Sequence, residues 1–279
     1  MSEIHIREAG PSESRLRVKK SPQISDVHLL FSYTPSDDGT DENLLVLFHG
    51  LGDTHIPFAK LGRQLKLPQT ATLTLRAPEK IPFLYEEAYQ WYTSFDQLGE
   101  LIDRPNPTFT LEILSKIFKH LIEDCSWPSH RIHLFGFAQG GSVALEFGIK
   151  FWRQQQEKAK ESTPEFDIPT YSLGSIVSIS GPLLSYPTLS SSSPTPVLAV
   201  YRPPPAEPSL SPTDLAVLKK AYSSVREAKL GASGPDMPSS KDEWEPIMRF
   251  WSERLSRRQV DGLYEVMSGI SAPNELGRQ

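Results

Sequence analysis

The chain has 279 residues, long for one domain yet within the range that a single α/β unit fills. Its hydrophobic content is 38% and its charged content 23%, the balance of a folded chain rather than of a disordered or fibrous one. A net charge of −5 and a pI near 5.8 argue against nucleic acid as a partner, because no basic face is there to replace phosphate counterions.

No apolar run approaches the length of a membrane span, and the N-terminus shows no basic-then-apolar leader. The single cysteine, Cys125, can form no internal disulfide, which suits a reducing compartment. A cytoplasmic or, alternatively, nuclear location is therefore expected. Residues 1–24 read as a polar, flexible arm in which Arg15, Arg17, Lys19 and Lys20 alternate with small and polar residues. One folded domain is expected over 25–260 and a C-terminal extension over 261–279. The first strand is expected over 27–33, and Asp37-Asp38-Gly39 marks a turn.

Leu44 to Phe48 is a continuous apolar run of the kind that a central parallel strand needs, covered on both faces. It ends in His49-Gly50-Leu51-Gly52-Asp53. A helix follows from Pro57 to Leu65, with Phe58, Leu61 and Leu65 on one face, then an alternating strand from Ala71 to Arg76. Tyr85 to Phe95 is dense in aromatics, which either line a groove for an acyl chain or a partner, or pack beneath a long loop. Thr110 to Cys125 is an amphipathic helix, and Cys125 on its apolar stripe reads as a buried structural thiol. Arg131 to Phe135 is a short buried strand, and Ser142 to Ile149 the first turns of a helix. Between them lies Gly136-Phe137-Ala138-Gln139-Gly140-Gly141.

Beyond it, the charged stretch from Arg153 to Glu161 reads as the same helix overrunning into a solvated loop. Core strands are expected over 172–180 and 196–201, joined by a flexible connection holding four consecutive serines, Ser190 to Ser193. After the second strand, Pro203, Pro204 and Pro205 fix an extended path. A final helix runs from Asp242 to Arg258, with Trp244, Ile247, Met248, Trp251 and Leu255 at helical spacing, and 259–279 adds an edge strand, binds a partner or frays. No cysteine–histidine cluster has metal-ligand spacing and no phosphate-binding or dinucleotide fingerprint is present, so no metal and no cofactor is expected.

A strand turning sharply into a helix over G-x-S-x-G is the nucleophile elbow of the α/β-hydrolases, and here Ala138 stands where the serine belongs. The runs H-G-L-G-D, Q-W-Y-x-S, P-S-x-R-I and G-F-x-Q-G-G occur in order across roughly residues 44–260. Together they resemble the phospholipase, carboxylesterase and acyl-protein thioesterase family of α/β-hydrolases. The resemblance implies an α/β architecture, a doubly wound and mainly parallel sheet with helices on both faces. It also implies an ancestral activity on carboxylic esters or thioesters, including acyl chains on protein cysteines.

Carried onto this chain, the resemblance assigns the oxyanion hole to the backbone N–H groups of Leu51 and Gln139. His49, Gly50, Trp91 and Phe137 then border the pocket, His49 chiefly by holding the loop in shape. The family's catalytic acid belongs in an H-G-x-x-D loop where this chain has Pro205, with Glu207 nearby. Its histidine belongs within 230–240, where Asp236 is the titratable group. All seven histidines lie at or before position 133, so none follows the elbow. No catalytic set is intact, and a non-catalytic binding or scaffold protein, a pseudoenzyme, is the reading that follows. Its expected partners are an acyl group, ester or peptide segment in a residual cleft, or a protein on its outer surface. The alternative is a serine carboxylesterase or acyl-protein thioesterase captured as an inactive Ser→Ala form, although that single change would leave acid and histidine in place.

Overall fold

The computed structural model describes residues 5–7, 18–82, 85–161, 172–203, 210–232, 237–258 and 265–267. In chain order the elements are β1 (His5–Arg7), α1 (Ile24–Val27), β2 (Phe31–Thr34), β3 (Asn43–Phe48), α2 (His55–Leu65) and β4 (Thr70–Leu75). They continue with β5 (Glu79–Lys80), β6 (Tyr89–Gln90), α3 (Thr108–Glu123), β7 (Ile132–Phe137) and α4 (Gln139–Glu161). The last are β8 (Ser175–Ile179), β9 (Val197–Tyr201), α5 (Pro212–Ala221), β10 (Val225–Lys229), α6 (Lys241–Arg254) and β11 (Glu265–Met267).

Seven strands form one sheet in the order β10-β9-β8-β7-β3-β4-β2, parallel throughout except for the antiparallel edge strand β2. Central strands β3, β4 and β8 are buried along their whole length, which is why Leu44 to Phe48 in β3 reads as an unbroken apolar run. Residues alternate between two cores. Leu44, Val46, Leu134 and Ile176 face α3, α4 and α5, whereas Leu45, Leu47, Phe135 and Val177 face α2 and α6. Helices thus cover both faces of a mainly parallel sheet, the doubly wound architecture expected.

Several local expectations change. The strand expected over 27–33 is β2 and begins at Phe31, because a short helix ends at Val27 and His28 takes a left-handed conformation, φ 54°. The polar arm is held well before residue 24: Lys19 N–H donates to Asp41 at 2.8 Å, its Nζ donates to the Ser126 carbonyl at 2.8 Å, and Pro22 is buried. Further out, β1 pairs antiparallel with β11, joining the two ends of the chain in a ribbon separate from the main sheet. The serine run is stapled rather than loose. Ser193 is fully buried, its N–H donates to the Ala221 carbonyl at 2.8 Å, and the Ser191 carbonyl accepts from the Trp152 indole at 3.2 Å. Elements α5 and β10 were not anticipated. The signal for α5 was present in Ser211-Pro212-Thr213-Asp214, which closes a capping box with proline in the first turn.

At the centre of the sheet β7 crosses onto α4 at the closest possible range. A Cβ on Gly136 would overlap the Gly140 carbonyl, and one on Gly140 would overlap the carbonyl of Phe48 on the neighbouring strand. Cys125 is buried just past α3 with its Sγ 3.6 Å from His120 Nε2, and burial pushes the thiol above its ordinary range. His133 lies wholly buried on β7, its Nδ1 2.8 Å from Ser175 Oγ and its Nε2 unpartnered among the described residues.

Two expected outcomes follow from this packing. Gly140→Ala should lower unfolding free energy by about 2 kcal/mol or more, read by denaturant titration, because the clash is with backbone that has nowhere to go. Burial holds His133 down to about 3, below its unfolded value of 6.5. The stability it contributes is present above pH 6.5 and is lost as pH falls towards 3. The loss between pH 7 and pH 5 should therefore be smaller in His133→Gln by about 2 kcal/mol, and an unchanged pH profile would contradict the assignment.

Candidate functional site

The elbow residue takes the backbone that its place in the fold demands. Ala138 has φ 48°, in the left-handed region that a residue with a Cβ occupies only at a cost of about 1–2 kcal/mol. Two hydrogen bonds hold it there: its N–H donates to the Ile179 carbonyl at 2.8 Å, and its own carbonyl accepts from Ser142 N–H at 3.0 Å. The side chain presented at this half-buried apex is a methyl group.

The neighbouring loop is built as the sequence suggests, and His49 is its keystone. Its Nδ1–H donates to the Gly50 carbonyl at 2.7 Å and its Nε2 accepts from Ala77 N–H at 3.0 Å, which fixes a neutral tautomer. Burial pushes this imidazole down to about 4, so it stays neutral at physiological pH. With both nitrogens engaged, His49 supports the loop and has no proton to exchange with a ligand. Gly50 lies against the Phe137 ring, where a Cβ would approach to 2.8 Å. Further along, Gly52 N–H donates to the Tyr89 carbonyl at 2.9 Å, and Tyr89 N–H donates to the Asp53 carbonyl at 3.3 Å. Leu51 sits exposed at the tip, and among the described residues no hydrogen bond takes its N–H. The Gln139 N–H, at the first position of α4, is one of the donors that a helix start leaves unpaired. The two proposed oxyanion donors therefore stand at the C-terminal ends of adjacent strands, β3 and β7.

The Gln139 side chain does work that the sequence reading missed. Its Oε1 accepts from Trp91 N–H at 2.9 Å, and its Nε2 donates to the Tyr92 carbonyl at 2.9 Å and to Ser94 Oγ at 2.6 Å. Trp91 is itself a buried pillar rather than an open pocket wall. Its indole N–H donates to the His49 carbonyl at 2.8 Å, and its ring packs against Phe48 and His49 at 5.3 Å. Of the aromatic stretch, Tyr89, Trp91 and Tyr92 are buried, whereas Tyr85 and Phe95 face solvent. The larger cavity, about 740 Å³, lies between α3 and α4 beside Ser129 and His130, and a second of about 360 Å³ lies beside Arg76 and Pro78; neither borders Ala138.

Pro205, Glu207 and Asp236 lie outside the described residues. The ends of β9 and β10, from which those loops depart, are joined by a group that sequence reasoning did not find. Arg202 is 2% exposed; its Nη1 bonds Glu243 Oε1 at 2.7 Å and the Gly231 carbonyl at 2.8 Å. The guanidinium holds the Glu243 carboxyl down at about 2. A carboxylate so strongly stabilised in its charged form is a poor proton acceptor near neutral pH. The only hint was an arginine placed directly after an apolar strand. Among the described residues no cluster of histidine, cysteine and carboxylate side chains suits a metal ion.

The architecture has counterparts among known proteins. Residues 33–157 match the model of the Phospholipase/Carboxylesterase family. An uncharacterized hydrolase of Mycosarcoma maydis is 38% identical over 259 residues, covering 90% of this chain and 93% of that protein. An uncharacterized hydrolase of Schizosaccharomyces pombe is 35% identical over 115 residues, covering 39% of this chain and 47% of that protein. Among solved structures, esterase PE8 superposes with a TM-score of 0.63 at 21% identity, covering 81% of this chain and 99% of its own. The acyl-protein thioesterase 2 of Zea mays does so with a TM-score of 0.56 at 18% identity and the same coverage. At such identities the superpositions establish the fold, and the full-length relative establishes the kinship. The chain belongs to the phospholipase/carboxylesterase family of α/β-hydrolases.

Proposed function

We propose that this chain is a non-catalytic member of its family, a binding or scaffold protein that keeps the hydrolase architecture without the acyl-transfer chemistry. The observation that carries this reading is Ala138 at the apex of the elbow, with φ 48° and no side-chain atom able to attack a carbonyl. Nucleophilic catalysis on this scaffold needs a hydroxyl, a base to take its proton and an acid to orient the base. The sequence places no histidine beyond position 133, and the nearby His49 is committed at both nitrogens. The Arg202–Glu243 pair supports the same reading, because it ties up the arginine just past β9 and a carboxylate in the first turn of α6 in a salt bridge.

Recognition of a carbonyl or carboxylate oxygen needs only the backbone donors of Leu51 and Gln139 and the positive end of α4. An acyl group, ester or peptide segment is thus the class of ligand that this elbow suits, held without cleavage. The single buried thiol fits a cytoplasmic setting. The rival reading, an active esterase stopped by one Ser→Ala change, requires a base that the sequence does not supply.

The purified protein should turn over short p-nitrophenyl esters and acyl thioesters no faster than background, and a fluorophosphonate probe should leave it unlabelled. Restoring the hydroxyl alone, Ala138→Ser, should stay on the order of 10⁴-fold or more below ordinary esterase rates, since an elbow serine without its base is nearly inert. Ordinary turnover in that single variant would instead establish the rival reading.

A further inference from the structure

Large apolar side chains are exposed in several places, and three of them share one short loop rooted at Gln139, next to the elbow apex. Of the large hydrophobic residues that face solvent, Leu51 and Ile56 flank the oxyanion loop, while Phe95, Leu98 and Leu101 crowd one short loop. That loop, Ser94 to Ile102, is a rigid finger. Ile102 N–H donates to the Ser94 carbonyl at 2.8 Å and Asp96 N–H to the Glu100 carbonyl at 2.9 Å. Phe95 and Leu101 form an isolated antiparallel bridge across it. At its tip the Asp96 carboxylate accepts from the N–H groups of Leu98 and Glu100 at 2.8 and 2.9 Å. Its root is the Gln139 amide, which grips Tyr92 and Ser94.

The finger therefore presents its apolar groups already ordered: Phe95 is 47%, Leu98 85% and Leu101 70% exposed. A loop that merely connects β6 to α3 would gain by carrying polar residues there, whereas a pre-ordered apolar rim lowers the entropy cost of binding. The finger itself is acidic. From Phe95 to Arg104 the chain carries Asp96, Glu100 and Asp103 against Arg104 alone, while Glu87, further back, is paired with Lys80 at 4.0 Å. These carboxylates repel an anionic membrane, and a bare acyl chain has no use for them. They complement a segment that offers both cations and apolar side chains.

We propose that the finger is a docking surface for a basic, apolar peptide segment of a protein partner. Leu98, Leu101 and Phe95 take the partner's apolar side chains, and Glu100 and Asp103 face its lysines or arginines. This extends the binding reading above from the elbow to its rim, and it rests on that reading only in that the partner is held rather than cleaved.

Fluorescence anisotropy on the full chain tests it, with a labelled twelve-residue peptide alternating lysine with leucine and phenylalanine as the probe. Its counterpart with glutamate for lysine, and phosphatidylcholine vesicles containing phosphatidylserine, complete the set. The basic peptide should bind, and rising salt should weaken it. Binding should weaken about tenfold or more in Leu98→Ser/Leu101→Ser and also in Glu100→Lys/Asp103→Lys, each shown to be folded by its thermal midpoint. Equal binding of the acidic peptide, indifference to the finger substitutions, or binding of vesicles in place of peptide would each overturn the proposal. Esterase turnover by the unmodified protein would instead overturn the non-catalytic reading while leaving the finger result standing.

Discussion

The structure depends on one backbone constraint, the left-handed turn at Ala138 where β7 becomes α4. The turn is dictated from outside the residue. Gly136 and Gly140 let strand and helix approach until only hydrogen atoms fit between them and the carbonyls of Gly140 and Phe48. The chain must then reverse within a single residue, and φ 48° is the conformation that does it. A non-glycine residue there is strained by about 1–3 kcal/mol, and it persists because its surroundings over-determine it. Ala138 is bonded on one side to Ile179 of β8 and on the other to Ser142 of α4. The side chain at the apex plays no part in holding the turn, so the geometry of an elbow is independent of whether a hydroxyl stands on it.

From this turn outward the surrounding loops are held together by amide and imidazole groups. Gln139, the residue after the apex, fixes the loop that carries Trp91, Tyr92 and Ser94. Trp91 in turn fixes His49, and His49 bridges Gly50 and Ala77. The buried polar atoms named in this chain are satisfied within it, which in a low-dielectric interior makes the assembly stiff. One consequence is that the loop from His49 to Asp53, the elbow and the loop from Ser94 to Ile102 are parts of one body.

Much of this was legible in the residues, and the parts that were not have a physical reason. Continuous apolar runs such as 44–48 gave the central strands, and the 3.6-residue stripe from Leu111 to Leu121 gave α3, because burial on both faces or on one stripe leaves a strong pattern. Strand β10, Val225-Arg226-Glu227-Ala228-Lys229, lies at the sheet edge with mostly exposed side chains, so it leaves almost no hydrophobic signal. The motif G-F-x-Q-G-G located the elbow, but the partners of Gln139 lie about 45–48 residues away in sequence, and no local pattern reveals them. The same holds for Arg202 and Glu243, which meet only because the first turn of α6 packs against the end of β9. The aromatic stretch was read as groove or packing, and the structure divides it. Its inward members support the loop, and Tyr85 and Phe95 remain outside.

The Arg202–Glu243 pair and the elbow show how differently backbone and side-chain functions depend on sequence. Oxyanion-type donors are peptide N–H groups, and any residue that tolerates the turn supplies them. A proton relay, by contrast, needs particular side chains with matched pKa values in reach of one another. Just past β9 this chain places a guanidinium that pairs with a carboxylate in the first turn of α6 and holds that carboxyl well below its ordinary range, so it is a poor proton acceptor near pH 7. Two opposite charges withdrawn from water require each other, since removing one partner of such a pair costs about 3–5 kcal/mol. What stabilises that end of the sheet is thus a pairing of two side chains, whereas the elbow is held by peptide groups alone.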